Sequence, residues 1–399
     1  MSTILGGGAH ARDAHDTAFD SDGEATRTAS ADRDGESTRT ASAGRDFWRG
    51  RTVLLTGHTG FKGSWLALWL QALGARVTGF SLGVPTQPSL YELAHVGDGM
   101  QSIEGDVRDP RALQDALAAA SPEIVIHMAA QSLVRRSFRE PQLTYDVNVM
   151  GTVNLLDAVR RDGDVRVLVN VTSDKCYQNR EWVWAYREHE PMGGHDPYSS
   201  SKGCSELVTD AFRRSFFATD GVTRVASARA GNVIGGGDWA EDRLIPDLMR
   251  AALDGRAVHV RNPASVRPWQ HVLNPLDGYL TLAQALWSSA ELADGWNFGP
   301  AEEDARPVGW IVERIAELWP QQLPWVEDAE PHRVAPHEAR YLKLDSSRAR
   351  SHLGWRPRWS LREGLEATVA WYSAMHAGED MPAVTAAQIE AFEQAVALA

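Results

Sequence analysis

The sequence predicts an α/β protein built on a doubly wound parallel sheet, with a smaller, mixed C-terminal substrate domain. Short apolar runs rich in β-branched residues recur in the first half of the chain, as at Ile124–His127 and Val165–Val171. Helical patterns separate these runs, and such alternation is typical of parallel sheets. A glycine-rich turn joins the first strand to the first helix, as in nucleotide-binding sheets of the Rossmann type.

The composition limits the class of protein. The 399 residues are 43% hydrophobic, which is enough for one large or two medium domains. The net charge of −13 argues against nucleic acid or an anionic membrane as a partner, but leaves nucleotide ligands open. Because there is no long apolar run and no secretory signal, we expect a cytoplasmic protein without a membrane span. The two cysteines, Cys176 and Cys204, are expected to be reduced thiols, and no ligand spacing predicts a metal site.

The first 46 residues differ from the rest of the chain. They contain two copies of a twelve-residue unit, GEATRTASADRD and GESTRTASAGRD, and very few large apolar side chains. Such a segment cannot bury enough surface to order itself. We expect a disordered tail at residues 1–46 that has no function of its own, with a regulatory tail as the alternative.

The folded part is predicted to start near Phe47 with a strand at Arg51–Leu55. A loop with the spacing G-x-x-G-x-x-G follows, and then an apolar helix that ends at Gly74. Glycines in this pattern allow a tight turn and a close approach of the backbone to a pyrophosphate, which would lie at the helix N-terminus. We therefore predict that the loop binds a nucleotide cofactor through Gly57, His58, Thr59, Gly60, Phe61, Lys62 and Gly63.

The second strand, Val77–Leu82, lacks an expected feature. NAD-binding folds usually place an acid at this strand end to hold the ribose, but here the end reads Phe80-Ser81-Leu82-Gly83. Ser81 is one substitute for the acid. Alternatively, His58 and Lys62 could accommodate a 2′-phosphate. The residues by themselves leave the choice between NAD and NADP open.

Later strand ends complete the predicted cofactor site. Asp106 and Val107 precede the helix at Leu113–Ala120, and the Asp could meet the adenine amino group or else form a turn or helix cap. Small residues after Ile124–His127 would let a cofactor lie against the strand ends. A polar residue in the helix Tyr145–Val159 is either a further cofactor ligand or a satisfied core hydrogen bond. These considerations add Ala129, Ala130, Gln131 and Asn148.

The predicted chemistry lies between Thr172 and Lys202. Ser173, Asp174 and Lys175 follow the strand Val165–Val171 directly. They are therefore expected at the carboxyl end of a parallel strand, where open α/β sheets bind their ligands.

A second group of candidates lies on the next helix. Asp196 and Pro197 have the residue types of an N-cap and a first helical position, so Tyr198 and Lys202 share one face at i and i+4. An ammonium beside the phenol is expected to lower the pKa of Tyr198. The phenolate could then accept a proton from a sugar hydroxyl.

After the helix Tyr198–Phe217 and the strand Val225–Arg229, the pattern becomes irregular and rich in Pro and Trp. We assign residues 47–230 to the nucleotide-binding domain, 231–380 to a substrate domain partly interleaved with it, and 381–399 to a C-terminal tail. Predicted helices of the substrate domain are Ile311–Leu318, Ser346–Leu353 and Leu361–His376. The substrate-binding candidates are Asn232, Arg243, Arg267 and His271; the arginines could bind a diphosphate or else form surface salt bridges.

With these motifs in place, the chain resembles the extended short-chain dehydrogenase/reductase family over about Phe47–His376. The Gly loop and Tyr-x-x-x-Lys are typical of the whole superfamily. The more restrictive motifs resemble its nucleotide-sugar 4,6-dehydratases: TSDKCYQN, EPMGGHDPYSSSK, RAGNVIGGGDWAEDRLIPD and RPWQHVLNPLDGYL. Related enzymes of dTDP-glucose carry Asp-Glu where this chain has Asp174-Lys175, and that difference favours the branch acting on CDP-sugars.

The resemblance implies NAD as cofactor and CDP-glucose as the small-molecule substrate, and we also expect a homo-oligomer. Tyr198 would take the C4 hydroxyl proton during oxidation at C4, assisted by Lys202 and Ser173. Lys175 would remove the C5 proton, and Asp174 would protonate the departing C6 hydroxyl. Asp174 must then stay protonated, and Lys175 must act as a neutral amine.

Three alternative functions remain. One is a nucleotide-sugar 4-epimerase or reductase that uses only Tyr198 and Lys202. Another is a dehydratase acting on a different nucleoside-diphosphate glucose. The third is a non-catalytic NAD-sensing protein, which is disfavoured because the acid and base residues are all present.

Overall fold

A computed structural model describes residues 45–218, 221–327 and 339–398. Most of the predicted N-terminal tail, residues 1–44, therefore lies outside the described residues. The strands within the described part are β1 (Thr52–Thr56), β2 (Arg76–Ser81), β3 (Gln101–Glu104), β4 (Ile124–His127), β5 (Val167–Val171), β6 (Arg224–Ala230), β7 (Val233–Ile234), β8 (Val258–Val260), β9 (Val266–Pro268), β10 (Gln270–His271), β11 (Gly295–Phe298), β12 (Ala305–Pro307) and β13 (Trp325–Glu327).

Helices cover both faces of the sheet and build the C-terminal half. They are α1 (Phe61–Ala72), α2 (Leu90–Leu93), α3 (Pro110–Ala120), α4 (Val134–Arg139), α5 (Pro141–Tyr145), α6 (Gly151–Asp162), α7 (Pro197–Phe212), α8 (Leu244–Leu253), α9 (Leu273–Ser288), α10 (Val308–Leu318), α11 (Ser347–Leu353), α12 (Leu361–His376) and α13 (Met381–Gln394). Among the described residues, every helix is too short or too polar to cross a membrane.

Seven strands form one parallel sheet in the order β11-β6-β5-β4-β1-β2-β3. Its central strands are buried on both faces. Solvent reaches neither Leu54, Val125 and Leu168 on one face nor Leu55 and Ile126 on the other. The chain moves outward from β1 to β3 and then returns to β4, so the strand order reverses between β1 and β4. A crevice opens at the carboxyl ends there, where such sheets bind ligands. The predicted α/β fold class is confirmed.

The predicted helix Tyr145–Val159 is interrupted in the structure. A π-helical turn, Asp146–Met150, separates α5 from α6. Gly151 follows the turn, and a Cβ atom there would lie 2.7 Å from Val107 Cγ2. The apolar spacing predicted a helix correctly, but a π turn adds one residue without changing the residue types, so the spacing did not indicate it.

Residues 381–394, which we assigned to a C-terminal tail, form helix α13. Met381, Ile389 and Phe392 are buried on its inner face. The Trp69 indole of α1 donates from Nε1 to Glu393 Oε1 at 2.9 Å. The helix thus contributes to the core rather than extending into solvent.

Candidate active site

A cavity of about 800 Å³ opens at the carboxyl ends of the sheet strands. It runs from the Gly loop before α1, past the turn after β5, to the loops of the C-terminal half. Most of the predicted site residues line it: Gly57, Thr59, Gly60, Phe61, Lys62, Gly63, Asp106, Val107, Ala129, Ala130, Gln131, Ser173, Asp174, Lys175, Tyr198, Lys202, Asn232, Arg243 and Arg267.

The Gly loop packs closely on the end of β4. Gly57 has a φ of +80°, and a Cβ atom on it would lie 2.7 Å from the Ala129 backbone nitrogen. A Cβ atom on Gly63 would lie 2.1 Å from the Gly57 carbonyl oxygen. Gly60 is the N-cap of α1, and no side chain caps this end of the helix, which faces the cavity. Its first-turn N–H groups therefore fit the diphosphate of a dinucleotide.

His58 does not line the cavity, contrary to our prediction. Its ring is buried against Gly79, and its Nε2 atom is hydrogen-bonded to Ser102 Oγ at 2.7 Å. Burial lowers the pKa of His58 to about 4. A residue two positions into a Gly loop can point either to the ligand or to the sheet, and here it packs against the sheet.

Asn148 is also placed behind the cavity. Its Oδ1 atom accepts from the Gln131 N–H at 2.8 Å, and its Nδ2 atom donates to the Gln131 carbonyl at 2.9 Å. A further bond joins Nδ2 to Ser201 Oγ at 2.9 Å. Of the two roles considered for Asn148, cofactor ligand or hydrogen-bonded core residue, the structure gives it the second. Its side chain holds the Gln131 segment in place.

His271, predicted to bind substrate, is part of the core. Its side chain is inaccessible to solvent and lies 4.9 Å from the Trp359 ring, centroid to centroid. Burial lowers the pKa of His271 to about 3. The RPWQHV motif contributes Arg267 to the cavity, whereas its histidine packs against Trp359 in the core.

Lys62 lies at the reaction end of the cavity. Its Nζ atom donates to Tyr279 OH at 2.9 Å. Burial lowers the pKa of Lys62 to about 7, helped by the charges of Lys202 and Arg243. The Ser81 hydroxyl at the end of β2 is bonded to Thr59 Oγ1 at 2.7 Å instead. Of the two residues considered for a 2′-phosphate, Lys62 is thus bonded elsewhere, and His58 packs against Gly79 of β2 but is buried from the cavity.

The turn after β5 places an acid and an amine together. Ser173 begins a short 3₁₀ turn, Asp174–Cys176, and its hydroxyl accepts from the Lys175 N–H at 3.2 Å. Burial raises the pKa of Asp174, although Lys175 and Ser173 oppose that shift. The direction of this pKa shift supports the expectation that the Asp174 carboxyl group stays protonated. Lys175 is partly exposed and lines the same cavity.

Helix α7 begins as predicted, but its tyrosine behaves differently. Asp196 caps it by accepting from the Ser199 N–H at 2.9 Å, so Tyr198 and Lys202 share one face. Burial raises the pKa of Tyr198 to about 12, partly opposed by Ser173 and Arg243, and burial lowers that of Lys202 to about 8. The expected lowering of the tyrosine pKa by Lys202 was wrong. Burial disfavours both charged forms, and Lys202 Nζ is 3.4 Å from the Val171 carbonyl oxygen.

The two predicted arginines enter the cavity from the C-terminal half. Arg243 donates to Asp238 Oδ2 at 3.1 Å and to Ser132 Oγ at 2.8 Å. Arg267 is buried, and its Nη1 atom donates to the Val266 carbonyl at 2.9 Å. Both guanidinium groups are held in place by neighbours, which suits them to bind a diphosphate in a fixed orientation.

Asp106 stabilises a turn, which was one of the two roles that we considered for it; the other was contact with the adenine of the cofactor. Its carboxylate accepts from the Arg108 N–H and Nε, each at 2.9 Å. The bonds to Arg108 hold the pKa of Asp106 below its ordinary value. The turn still lines the cavity, so Asp106 and Val107 form part of its wall.

Two features of the site had not been predicted. Tyr279, the partner of Lys62, is 217 positions away, and no sequence signal joins the two. Glu206 continues the face of Tyr198 and Lys202 at a further i+4 position, and this helical spacing could have revealed it. In the part of the chain that the structure describes, no group of three or more His, Cys, Asp or Glu is arranged to hold a metal ion.

Known proteins resemble this chain over most of its length. The family described as GDP-mannose 4,6 dehydratase matches residues 54–368. CDP-glucose 4,6-dehydratase of Salmonella typhimurium is 56% identical over 340 residues, covering 84% of this chain and 94% of that protein. dTDP-glucose 4,6-dehydratase of Streptomyces griseus is 30% identical over 333 residues, covering 80% of this chain and 93% of that protein. The structure of MoeE5 in complex with UDP-glucose and NAD is 25% identical, with a TM-score of 0.67 over 81% of this chain and 99% of that one. The chain therefore belongs to the GDP-mannose 4,6 dehydratase family.

Proposed function

We propose that this protein is an NAD-dependent dehydratase that converts CDP-glucose to CDP-4-keto-6-deoxyglucose. The single observation that carries the proposal is the turn after β5, where a buried carboxyl group with a raised pKa, Asp174, adjoins the amine Lys175. Oxidation alone needs neither group, whereas elimination of water needs both an acid and a base. The 56% identity to an enzyme of this name supports the choice of substrate.

The cofactor proposed for the cavity is NAD, which takes a hydride from the sugar and later returns it. The Gly loop from Gly57 to Gly63 and the small residues Ala129 and Ala130 would hold it. MoeE5, a structural neighbour, is described with NAD bound, which supports this choice. The two residues considered for a 2′-phosphate lend no support to NADP, because His58 is buried against the sheet and Lys62 is bonded to Tyr279.

Tyr198 is the proposed base for the C4 hydroxyl. With a pKa of about 12 it starts as the neutral phenol, so it must lose its proton before it can accept one from the sugar. The buried amine of Lys202 and the hydroxyl of Ser173 are the neighbours that would stabilise the phenolate when it forms. We assign Ser173 the further task of binding the C4 oxygen.

Lys175 and Asp174 are the proposed base and acid for elimination. Once C4 is a ketone, the C5 proton is acidic, and Lys175 would remove it as a neutral amine. Asp174 would give its proton to the C6 hydroxyl, which leaves as water. The proton gained by Lys175 would then return to C5 as the hydride returns to C6, and Asp174 must be reprotonated before the next cycle. The net change in the sugar is the loss of one water.

The nucleotide half of the substrate is assigned to the C-terminal loops. Arg243 and Arg267 would bind the diphosphate, because both guanidinium groups line the cavity and are held by neighbouring residues. Asn232 lines the same cavity. The preference for cytosine over other bases rests on sequence similarity.

The test is to incubate the purified protein and NAD with CDP-, dTDP-, GDP- and UDP-glucose in turn. We expect CDP-glucose to be consumed fastest, with a product lighter by one water that absorbs in alkali as a 4-ketone. Faster turnover of another nucleotide sugar would correct the substrate. An isomer of unchanged mass would show a 4-epimerase instead. Repeating the assay with NADP and cofactor-stripped protein tests the cofactor, and Tyr198→Phe serves as the inactive control.

A further inference from the structure

A buried ion pair lies behind the catalytic turn, outside the cavity. Arg229 of β6 donates from Nη2 to Glu206 Oε2 of α7 at 2.7 Å, and the two side chains are only 6% and 4% exposed. Burial by itself would raise the pKa of Glu206, but Arg229 and neighbouring hydroxyl groups outweigh this effect. The pKa of Glu206 therefore lies below its ordinary value. The pair is therefore charged, and neither residue lines the cavity.

The ion pair is bonded to both ends of the turn. Thr172, the residue before Ser173, donates its hydroxyl proton to Glu206 Oε1. Tyr177, the residue after the turn, accepts from Arg229 Nη1 at 2.8 Å. The tyrosine hydroxyl in turn donates to Asn297 Oδ1 at 2.7 Å. The turn that carries Asp174 and Lys175 is thus held at both ends by hydrogen bonds to the ion pair.

The same pair connects the two catalytic groups. Glu206 is one helical turn beyond Lys202 on α7, which also carries Tyr198. Arg229 belongs to β6, the sheet neighbour of β5, from which the turn emerges. The pair therefore links the helix that carries the oxidation residues to the turn that carries the elimination residues.

We propose that Glu206 and Arg229 are positioning residues, which clamp the turn at Thr172 and Tyr177 so that Asp174 and Lys175 stay within reach of C5 and C6 of the sugar. Hydrogen bonds to charged groups are stronger than neutral ones, and small displacements of an acid or base slow proton transfer severely. The clamp rests on the proposed dehydratase function, but Glu206 and Arg229 themselves lie outside the cavity, whereas the residues they bind, Thr172 and Tyr177, line it.

The variants for the test must leave the ion pair intact. Removing Glu206 or Arg229 would leave the other charge buried without its partner and could unfold the protein. Thr172→Val and Tyr177→Phe each remove one bond between the pair and the turn while nearly keeping the side-chain shape. Ser227→Ala is the matched control, because Ser227 donates to Glu206 Oε2 at 2.6 Å from β6 and makes no link to the turn.

The first readout does not depend on activity. Hydrogen exchange, followed by mass spectrometry on the free protein, reports the amides of Lys175 and Cys176, which are bonded to Ser173 within the turn. We expect about tenfold faster exchange in Thr172→Val and Tyr177→Phe, the effect of losing roughly one hydrogen bond. Ser227→Ala should exchange like the wild type at these positions.

The second readout is the split between kcat and KM for CDP-glucose. Both link variants should lower kcat about tenfold, leave KM within about twofold, and accumulate reduced cofactor because elimination lags behind oxidation. Unchanged exchange and kcat in both, or an equal loss in Ser227→Ala, would overturn the clamp. If the wild type does not turn over CDP-glucose, the proposed function fails, and hydrogen exchange still decides whether the pair holds the turn.

Discussion

The Ser173 hydroxyl donates a 2.9 Å hydrogen bond to Asp174 Oδ1 and leaves Asp174 Oδ2 buried, with no hydrogen-bond partner in the described part of the chain. A buried carboxyl group in this state favours its protonated form, because burial outweighs the attraction of nearby positive charges. In the proposed mechanism, the fold therefore prepares Asp174 as the acid for loss of the C6 hydroxyl before substrate binds.

Replacement of Asp174 by Asn should block the elimination of water. The amide matches the shape of the carboxyl group but cannot give up a proton to the leaving hydroxyl, so kcat should fall on the order of 100- to 10,000-fold with little change in KM. Product is measured by mass spectrometry. Near-normal product formation by this variant would show that another group is the acid.

The same variant should change how stability depends on pH. Because the folded-state pKa of Asp174 is raised, the folded protein binds this proton more tightly than the unfolded chain does. Its contribution is present below the unfolded pKa and is lost as pH rises through the folded pKa. Urea unfolding at about pH 4 and pH 8 should show Asp174→Asn gaining stability over the wild type as pH rises. A difference that does not vary with pH would contradict the raised pKa.

Acid should destabilise the protein through buried His271. Its folded pKa of about 3 is below the ordinary value of 6.5, so its contribution is complete above pH 6.5 and is lost as pH falls towards the folded pKa. From pH 6.5 to 5 the free energy of unfolding should drop by about 1.5 kcal/mol from this residue. His271→Phe should flatten that slope, whereas His376→Phe, on the exposed end of α12, should not. Equal slopes in all three proteins would contradict the assignment.

Helix α13 should contribute to global stability. Phe392 is inaccessible to solvent and packs against the rings of Trp69 and Trp359. Phe392→Ala should lower the free energy of unfolding by about 3–5 kcal/mol, measured in urea. Val396→Ala, at a side chain that is 77% exposed just beyond the helix, should change it by less than about 0.5 kcal/mol. If both variants behave alike, the segment does not pack as described.

Local signals predicted much of the fold. β4 spans the predicted Ile124–His127, and Asp196 caps α7 as expected, because apolar runs and capping residues act over a few positions. The tail assignment of α13 failed for the opposite reason. Its apolar face is short and is stabilised by contacts with distant residues, such as Trp69, which lies 324 positions from Glu393, and Trp359. Such distant contacts leave no local pattern in the sequence.

For the candidate site as well, local motifs were predictive and tertiary contacts were not. Motif position predicted that Ser173, Asp174 and Lys175 gather at a strand end. It did not predict the direction of the pKa shift of Tyr198, because helical spacing identifies a neighbour but not the burial of both groups. The inward packing of His271 was likewise decided by which side of β10 faces α12, a tertiary contact beyond the reach of the motif.

The separation of oxidation from elimination is the central claim, and Lys175→Ala tests it most directly. In the proposed mechanism, hydride leaves C4 with the help of Tyr198 and Lys202 on α7, whereas C5 is deprotonated from the turn after β5. Mixed with CDP-glucose and NAD, Lys175→Ala should accumulate reduced cofactor in the near ultraviolet while product forms on the order of 100- to 10,000-fold more slowly. Tyr198→Phe should give neither signal. Near-normal formation of the 4-keto-6-deoxy sugar by Lys175→Ala would contradict the account.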